Sequence, residues 1–257
     1  MAFNFTPTRV KRGWMNLRVQ EVLDETPDTK TFVLVDADDG GRPFDYYPGQ
    51  YLTFRVDGVA EKPLVRSYTM SSSPCEKDYS AFTVKRVEGG VVSNWLCDKV
   101  HTGDILRARG PIGKFGFDHT EDRGHIFMVG AGSGVTPFVS ILREYAPKLG
   151  QPDCPKALTL LASFRSVEDL MCWKAIEEAG RHKGVRIITT LSREILPDHS
   201  FLHGRIDEAM LARTMAEAYD NATFMTCGPE AMMALVKSHT LSKGVPEAHV
   251  KMESFAS

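Results

Sequence analysis

The chain has 257 residues, 42% apolar and 25% charged, which is the make-up of a folded globular protein of one large or two ordinary domains. A formal net charge of −2 supplies no general basic field for nucleic acid or an anionic membrane. No run approaches the roughly 18 apolar residues of a membrane helix. The segment Met1–Gly13 puts Lys and Arg after polar residues with no apolar stretch behind them, unlike a signal peptide, so a cytoplasmic location is expected.

From Trp14 to about Phe117 the chain alternates short β-prone segments with turn residues. Thr31–Val35, Tyr51–Val56, Val65–Met70 and Ala81–Val87 are predicted strands, and one helix is predicted near Val92–Val100. This spacing points to an antiparallel barrel or sandwich. The polar stretch Asp118–Gly124 marks a boundary, after which strands and helices alternate. His125–Val129, Ala157–Ala162, Val185–Thr190, Ala222–Thr226 and His249–Glu253 are predicted strands. Val135–Tyr145, Val167–Ala179, Ile206–Ala218 and Glu230–Leu241 are predicted helices. That alternation implies a parallel sheet covered by helices on both faces.

The five cysteines, Cys75, Cys97, Cys154, Cys172 and Cys227, form no C-x-x-C pair, and the eight histidines form no H-E-x-x-H pattern. No metal site or disulfide framework is expected.

Four segments carry candidate chemistry. Arg66-Ser67-Tyr68-Thr69 lies on a predicted strand, where Arg and Tyr two apart share a face. The guanidinium can grip a phosphate and the ring can cover a flat cofactor, although half-exposed strands also use such residues for cross-strand packing. Gly89-Gly90-Val91-Val92-Ser93 leads into a predicted helix capped at Ser93 or just before it, a second anion site on the same domain. Gly130-Ala131-Gly132-Ser133-Gly134-Val135-Thr136-Pro137 joins a strand to a helix with G-x-G-x-G spacing, which differs from the G-x-G-x-x-G dinucleotide fingerprint. It fits a phosphate loop or a plain tight turn. A nucleophile elbow at Ser133 fails, because Ala131 stands where that motif needs glycine. Thr226-Cys227-Gly228-Pro229 ends a strand and opens a helix, so Cys227 falls at the carboxyl edge of the parallel sheet, as a site thiol or a buried one.

In this order, these motifs resemble the ferredoxin–NADP reductase superfamily over about Gly13 to Phe255. Arg66-Ser67-Tyr68-Thr69 is similar to its flavin motif, Gly90–Ser93 to its flavin pyrophosphate segment, Gly130–Pro137 to its nicotinamide-nucleotide loop, and Cys227-Gly228-Pro229 with Glu253-Ser254-Phe255 to its C-terminal motifs. The resemblance implies an α+β two-domain protein: an antiparallel Greek-key β-barrel flavin domain over residues 13–119, then a doubly wound α/β parallel-sheet nucleotide domain over residues 120–257. It implies that Arg66 holds an FAD phosphate, that Tyr68 stacks on the flavin with Ser67 beside it, and that Thr69 hydrogen-bonds near its reactive nitrogen. Val84 and Arg86 approach the flavin through the backbone, and Gly90, Val91, Val92 and Ser93 hold the pyrophosphate. Gly132, Ser133, Gly134, Thr136, Gly228 and Pro229 bind the nicotinamide nucleotide. Thr69, Cys227 and Glu253 line the hydride-transfer site.

The implied function is an FAD-dependent NAD(P)H oxidoreductase. Arg165, Ser192 and Arg193 follow successive predicted strands, and their charge favours NADPH over NADH, with solvated loop charges as the plainer reading. Many relatives of this kind continue into a plant-type [2Fe–2S] domain, and no C-x₄-C-x₂-C spacing occurs in this sequence. The expected acceptor is therefore a separate ferredoxin-like, iron–sulfur or oxygenase partner, or a [2Fe–2S] domain outside this sequence. The competing readings are a diffusible-flavin reductase and a non-catalytic flavin- or nucleotide-binding regulatory module. The Gly90–Ser93 segment argues against the first, and Thr69, Thr136, Cys227 and Glu253 argue against the second.

Overall fold

A computed structural model describes residues 7–255, so the reading of Met1–Gly13 rests partly on residues outside that range. The N-terminal half is an antiparallel sheet of β1 (Trp14–Thr26), β2 (Thr29–Asp36), β3 (Tyr51–Val56), β4 (Leu64–Thr69), β5 (Ser80–Lys85) and β6 (Ile105–Ile112). Its order is β4-β3-β6-β1-β2-β5. The sheet curls like a barrel without closing: β4 and β5 are its edges, and an isolated bridge between Met70 and Phe82 links the segments there. The alternation of β1 sets the inside. Met15, Leu17 and Val19 are buried, while Asn16 and Arg18 between them are exposed. The core adds Phe32, Leu34, Leu52, Phe54, Phe82 and Val84, and α1 (Val91–Lys99) contributes Val92, Leu96 and Cys97 to it. Fully burying each large apolar side chain contributes about 1.5–3 kcal/mol.

The C-terminal half is a parallel sheet of order β10-β9-β8-β7-β11-β12, with β7 (His125–Ala131), β8 (Ala157–Phe164), β9 (Val185–Leu191), β10 (Leu202–His203), β11 (Ala222–Cys227) and β12 (Val250–Glu253). Period-2 burial feeds two cores. Ile126, Met128, Leu158, Leu160 and Met225 pack with α2 (Thr136–Tyr145) and α3 (Trp173–Gly180). Phe127, Val129, Leu161 and Phe224 pack with α4 (Glu208–Met215) and α5 (Glu230–Ser242). Helices therefore cover both faces. The chain winds outward from β7 to β8 and β9, then returns to place β11 on the other side of β7. That reversal is a topological switch point at the carboxyl ends of β7 and β11, where open α/β sheets bind ligands. Among the described residues no helix is long and apolar enough to cross a membrane.

The structure corrects several predicted elements. The helix expected over Val167–Ala179 is a 3₁₀ turn at Val167–Asp169 followed by α3, with Cys172 between them at φ 54°. Contacts with the first domain hold that break: Asp169 accepts from Lys85 Nζ at 2.9 Å, and Cys172 N donates to Glu25 Oε2 at 3.2 Å. The expected helix Ile206–Ala218 shrinks to α4, because the Asp207 side chain accepts from Met210 N at 2.8 Å and caps it there. The expected helix start at Val135 is a 3₁₀ turn over Gly132–Val135. The strand expected over Ala81–Val87 ends at Lys85. The cap of α1 is Gly90, which moves Ser93 into the first turn.

Buried polar bonds join the domains. Ser140 Oγ, on α2, donates to Ser72 O at 2.7 Å, and within the first domain Tyr46 OH lies 2.6 Å from Ser72 Oγ and steadies that segment. The Glu144 carboxylate, 3% exposed, accepts from Ser73 Oγ at 2.6 Å and Cys75 N at 3.2 Å, and pairs with Lys148. Burial alone pushes the Glu144 carboxyl up. The Lys148 ammonium and the Ser73 hydroxyl outweigh it and hold the group below the ordinary carboxylate range. A carboxylate depressed on folding gives stability that is present above its unfolded pKa of about 4.3 and lost as pH falls through the folded value. We therefore expect Glu144→Gln to melt below the wild type at neutral pH, with the gap closing below about pH 4. A gap in thermal midpoint that stays constant across that range would remove the ion pair from the interface's energetics.

Candidate functional site

β4 carries the first half of the site. It pairs with β3 so that Ser67 lies opposite Thr53 and Arg66 opposite Phe54. Arg66 is exposed, its Nη1 donates only to Val65 O at 2.9 Å, and no carboxylate pairs with it among the described residues. It is a free cation at a sheet edge, as a phosphate ligand requires. Tyr68 is half-buried at the mouth of the first core, with ring centroids 5.7 Å from Phe82 and 6.0 Å from Phe54. Burial pushes its phenol up to about 12, so it stays neutral. Ser67 Oγ lies 3.0 Å from Thr53 Oγ1, while Thr69 and Val84 are buried. The Arg86 guanidinium binds Asp98 at 2.6 Å, and its backbone N donates to Asp28 O at 2.7 Å.

Gly90 has no room for a side chain. A Cβ there would lie 2.6 Å from Ser93 Oγ and 3.1 Å from Val87 O. The Ser93 hydroxyl accepts from Val87 N at 3.2 Å, drawing the loop onto the helix start. The first-turn N–H groups of Val91, Val92 and Ser93 have no intrahelical acceptor, and Val91 is exposed. An anion can take those donors.

The second half forms across the parallel sheet. Cys227 pairs in register with Gly130 on β7 and with Glu253 on β12, so three distant motifs meet at one sheet edge. Gly134 packs against the end of β11 so closely that a Cβ would lie 2.2 Å from Cys227 O. Gly228 has φ 146° and stands 3.2 Å, measured from a built Cβ, from Ala131 N. Thr136 is buried and donates its hydroxyl to Ser133 O at 2.9 Å, which closes the loop on itself. Gly132 and Ser133 are partly exposed and Pro229 caps α5. Backbone approaching this closely, beside a helix start, fits a phosphate-bearing nucleotide.

Cys227 is fully buried, and burial with the neighbouring Glu253 pushes its thiol far above the ordinary range. It is a neutral thiol rather than a nucleophile. Burial also raises the half-buried Glu253 carboxyl.

The ends of β8 and β9 bring the arginines together: Arg193 N donates to Arg165 O at 2.9 Å and Ser192 N to Phe164 O at 2.9 Å. Both guanidiniums are exposed, and neither forms an ion pair among the described residues. The sequence reading overlooked Glu194, whose carboxylate accepts from Val167 N at 2.8 Å in this same loop pair. It also overlooked Glu144, because a lone Glu in a helix carries no local mark of an inter-domain role.

Residues 16–117 match the oxidoreductase FAD-binding domain family, and residues 128–238 match the oxidoreductase NAD-binding domain family. The chain is 30% identical to the ferredoxin reductase component of 3-ketosteroid-9-alpha-monooxygenase from Rhodococcus rhodochrous, over 94% of this chain and 65% of that protein. It is 32% identical to the glycine betaine monooxygenase reductase subunit of Chromohalobacter salexigens, over 95% of this chain and 64% of that protein. It thus spans a little under two thirds of the length of these relatives. The FAD/NAD-binding domain of nitric oxide dioxygenase from Vibrio cholerae superposes with a TM-score of 0.81 at 26% identity, covering 94% of this chain and 98% of that one. The two matches together span most of the chain, which belongs to the ferredoxin–NADP reductase superfamily as an FAD-binding domain followed by an NAD-binding domain.

The glycines separate two kinds of constraint. Gly132 has φ 52° and open space around it, so Gly132→Ala costs about 1 kcal/mol of backbone strain. Gly134→Ala drives a methyl group into the Cys227 carbonyl and must displace the loop, at about 2 kcal/mol or more. We expect Gly134→Ala to unfold at lower denaturant and to bind nucleotide more weakly than Gly132→Ala. The reverse order in a urea titration would mean that the loop rests elsewhere.

Proposed function

We propose that this chain takes a hydride from NADPH, in preference to NADH, onto FAD, and that the electrons pass to an acceptor protein of ferredoxin-like, iron–sulfur or oxygenase type. The acceptor is either separate or a [2Fe–2S] domain outside this sequence. One observation carries the reading: each domain offers a helix start with tightly packed glycine backbone, at Gly90 and at Gly134, and buried polar bonds join the two domains. The relatives named as reductase components of monooxygenases support the same reading. When bound, FAD supplies the redox chemistry, acceptance of a hydride and release of electrons singly or in pairs.

The protein's part is positioning and exclusion of water. Arg66 and the first turn of α1 hold the diphosphate, and the neutral Tyr68 ring offers a flat apolar face. Thr69 sits at the end of that strand. Gly132, Ser133, Gly134 and Thr136 receive the nucleotide, with Gly228 and Pro229 beside them. Cys227, kept protonated, packs beside the reacting ring and forms no covalent bond. Glu253 is the titratable group at this edge and holds or moves a proton there. The Gly90 helix start favours tightly held FAD over a flavin that comes and goes as substrate.

Arg165, Ser192 and Arg193 would receive the extra phosphate of NADPH, and Glu194 limits the preference through its negative charge. Arg193→Ala should raise the KM for NADPH about tenfold, the loss of one charge-assisted hydrogen bond, and leave that for NADH little changed. Equal effects on both would reject the assignment. The purified protein should be yellow, keep its colour through gel filtration, and bleach under either nucleotide without oxygen. Arg66→Ala should emerge from the same column depleted of flavin. A colourless wild type that FAD cannot reconstitute would overturn the function.

A further inference from the structure

Outside the site, one cluster brings together two groups able to react with each other. Cys75, in the segment after β4, is exposed, whereas Cys97, Cys172 and Cys227 are buried. Lys148 closes the 3₁₀ turn Ala146–Lys148 after α2, on the other domain. Its Nζ stands 2.7 Å from Cys75 Sγ. That is the short end of the range for N–H donors to oxygen, about 2.7–3.2 Å, and sulfur is the larger atom. The pair is held on both sides. Cys75 N donates to Glu144 Oε2 at 3.2 Å, Cys75 Sγ donates to Glu144 Oε1 at 3.4 Å, and Glu144 also grips Lys148. Thiol and amine are thus aligned in advance on opposite sides of the domain interface, with a carboxylate touching both.

We propose that Cys75 and Lys148 form a covalent, peroxide-made cross-link in which one oxygen atom bridges Sγ and Nζ. A single oxygen bonded to both atoms spans the existing separation, whereas a direct S–N bond would require the two to close in. The steps balance with hydrogen peroxide as oxidant. A first peroxide transfers an oxygen to the thiol, giving sulfenic acid and water. A second peroxide is reduced to two waters as the O–N bond forms, taking one hydrogen from the sulfenic hydroxyl and one from the amine. Burial alone would lower Lys148, but its contacts with Cys75 and Glu144 outweigh that and keep it an ammonium. Its proton must leave to Glu144 or water first, so the cross-link forms faster as pH rises. The link ties the segment behind the flavin strand to the end of α2, and so locks the relative placement of the two domains.

The test is peroxide treatment of the FAD-bound protein, followed by denaturing intact mass and peptide mapping. The wild type should gain one oxygen less two hydrogens and yield a peptide pair joined through Cys75 and Lys148. A thiol reductant should restore the starting mass. Cys75→Ser and Lys148→Arg, the second retaining the charge beside Glu144, should each yield no joined pair. Whole-oxygen additions without joined peptides, loss of two hydrogens alone, or joined peptides persisting in Lys148→Arg would overturn the proposal.

Discussion

A carboxylate with almost no access to water sits between the two domains, and the geometry of the molecule depends on it. Glu144 belongs to the helix that begins at the nucleotide loop, and its ligands Ser73 and Cys75 belong to the segment that leaves the flavin strand. A buried charge of this kind is tolerated only when its lone pairs are filled, because desolvation costs several kcal/mol. Here an ammonium, a hydroxyl and a backbone N–H fill them. Any rotation of one domain against the other strips partners from that carboxylate. The angle between β4 and the Gly130–Pro137 loop is therefore held by electrostatics as well as by apolar packing.

The remaining inter-domain bonds act in the same sense at other points. Lys85 reaches both Asp28 on its own domain and Asp169 on the other, at 2.8 and 2.9 Å. Lys251 pairs with the buried Asp122 and donates to Gly116 O at 3.1 Å, tying β12 to the boundary segment. β12 also carries Glu253, so this tie helps fix the strand that places Glu253 beside Cys227. The proposed hydride transfer is steep in distance and angle, and a site shared by two domains would need such fixed walls.

The same interface explains where the chain departs from its local preferences. Val167–Ala179 has the periodicity of one helix, yet it breaks at Cys172 in a left-handed conformation, where Glu25 and Lys85 of the first domain take up its polar groups. Tertiary bonds outweigh the modest cost of one such residue, about 1–3 kcal/mol.

Much of the fold was legible in the sequence, and so were the segments proposed to form the site. Period-2 segments before Asp118 and strand–helix alternation after it arise from one-sided and two-sided burial, which are local patterns. Arg66-Ser67-Tyr68-Thr69, Gly90, Gly134 and Cys227-Gly228-Pro229 are legible because close backbone approach and charge demand particular residue types. What the sequence could not contain was adjacency. That Cys227 lies beside both Gly130 and Glu253, and that Gly134 must be glycine because the Cys227 carbonyl stands there, follows from strand order. Glu144, Lys148, Cys75 and Glu194 look like ordinary surface residues in the chain. Only packing two domains together removes water from Glu144 and sets Lys148 against Cys75. Burial and long-range proximity are properties of the folded whole.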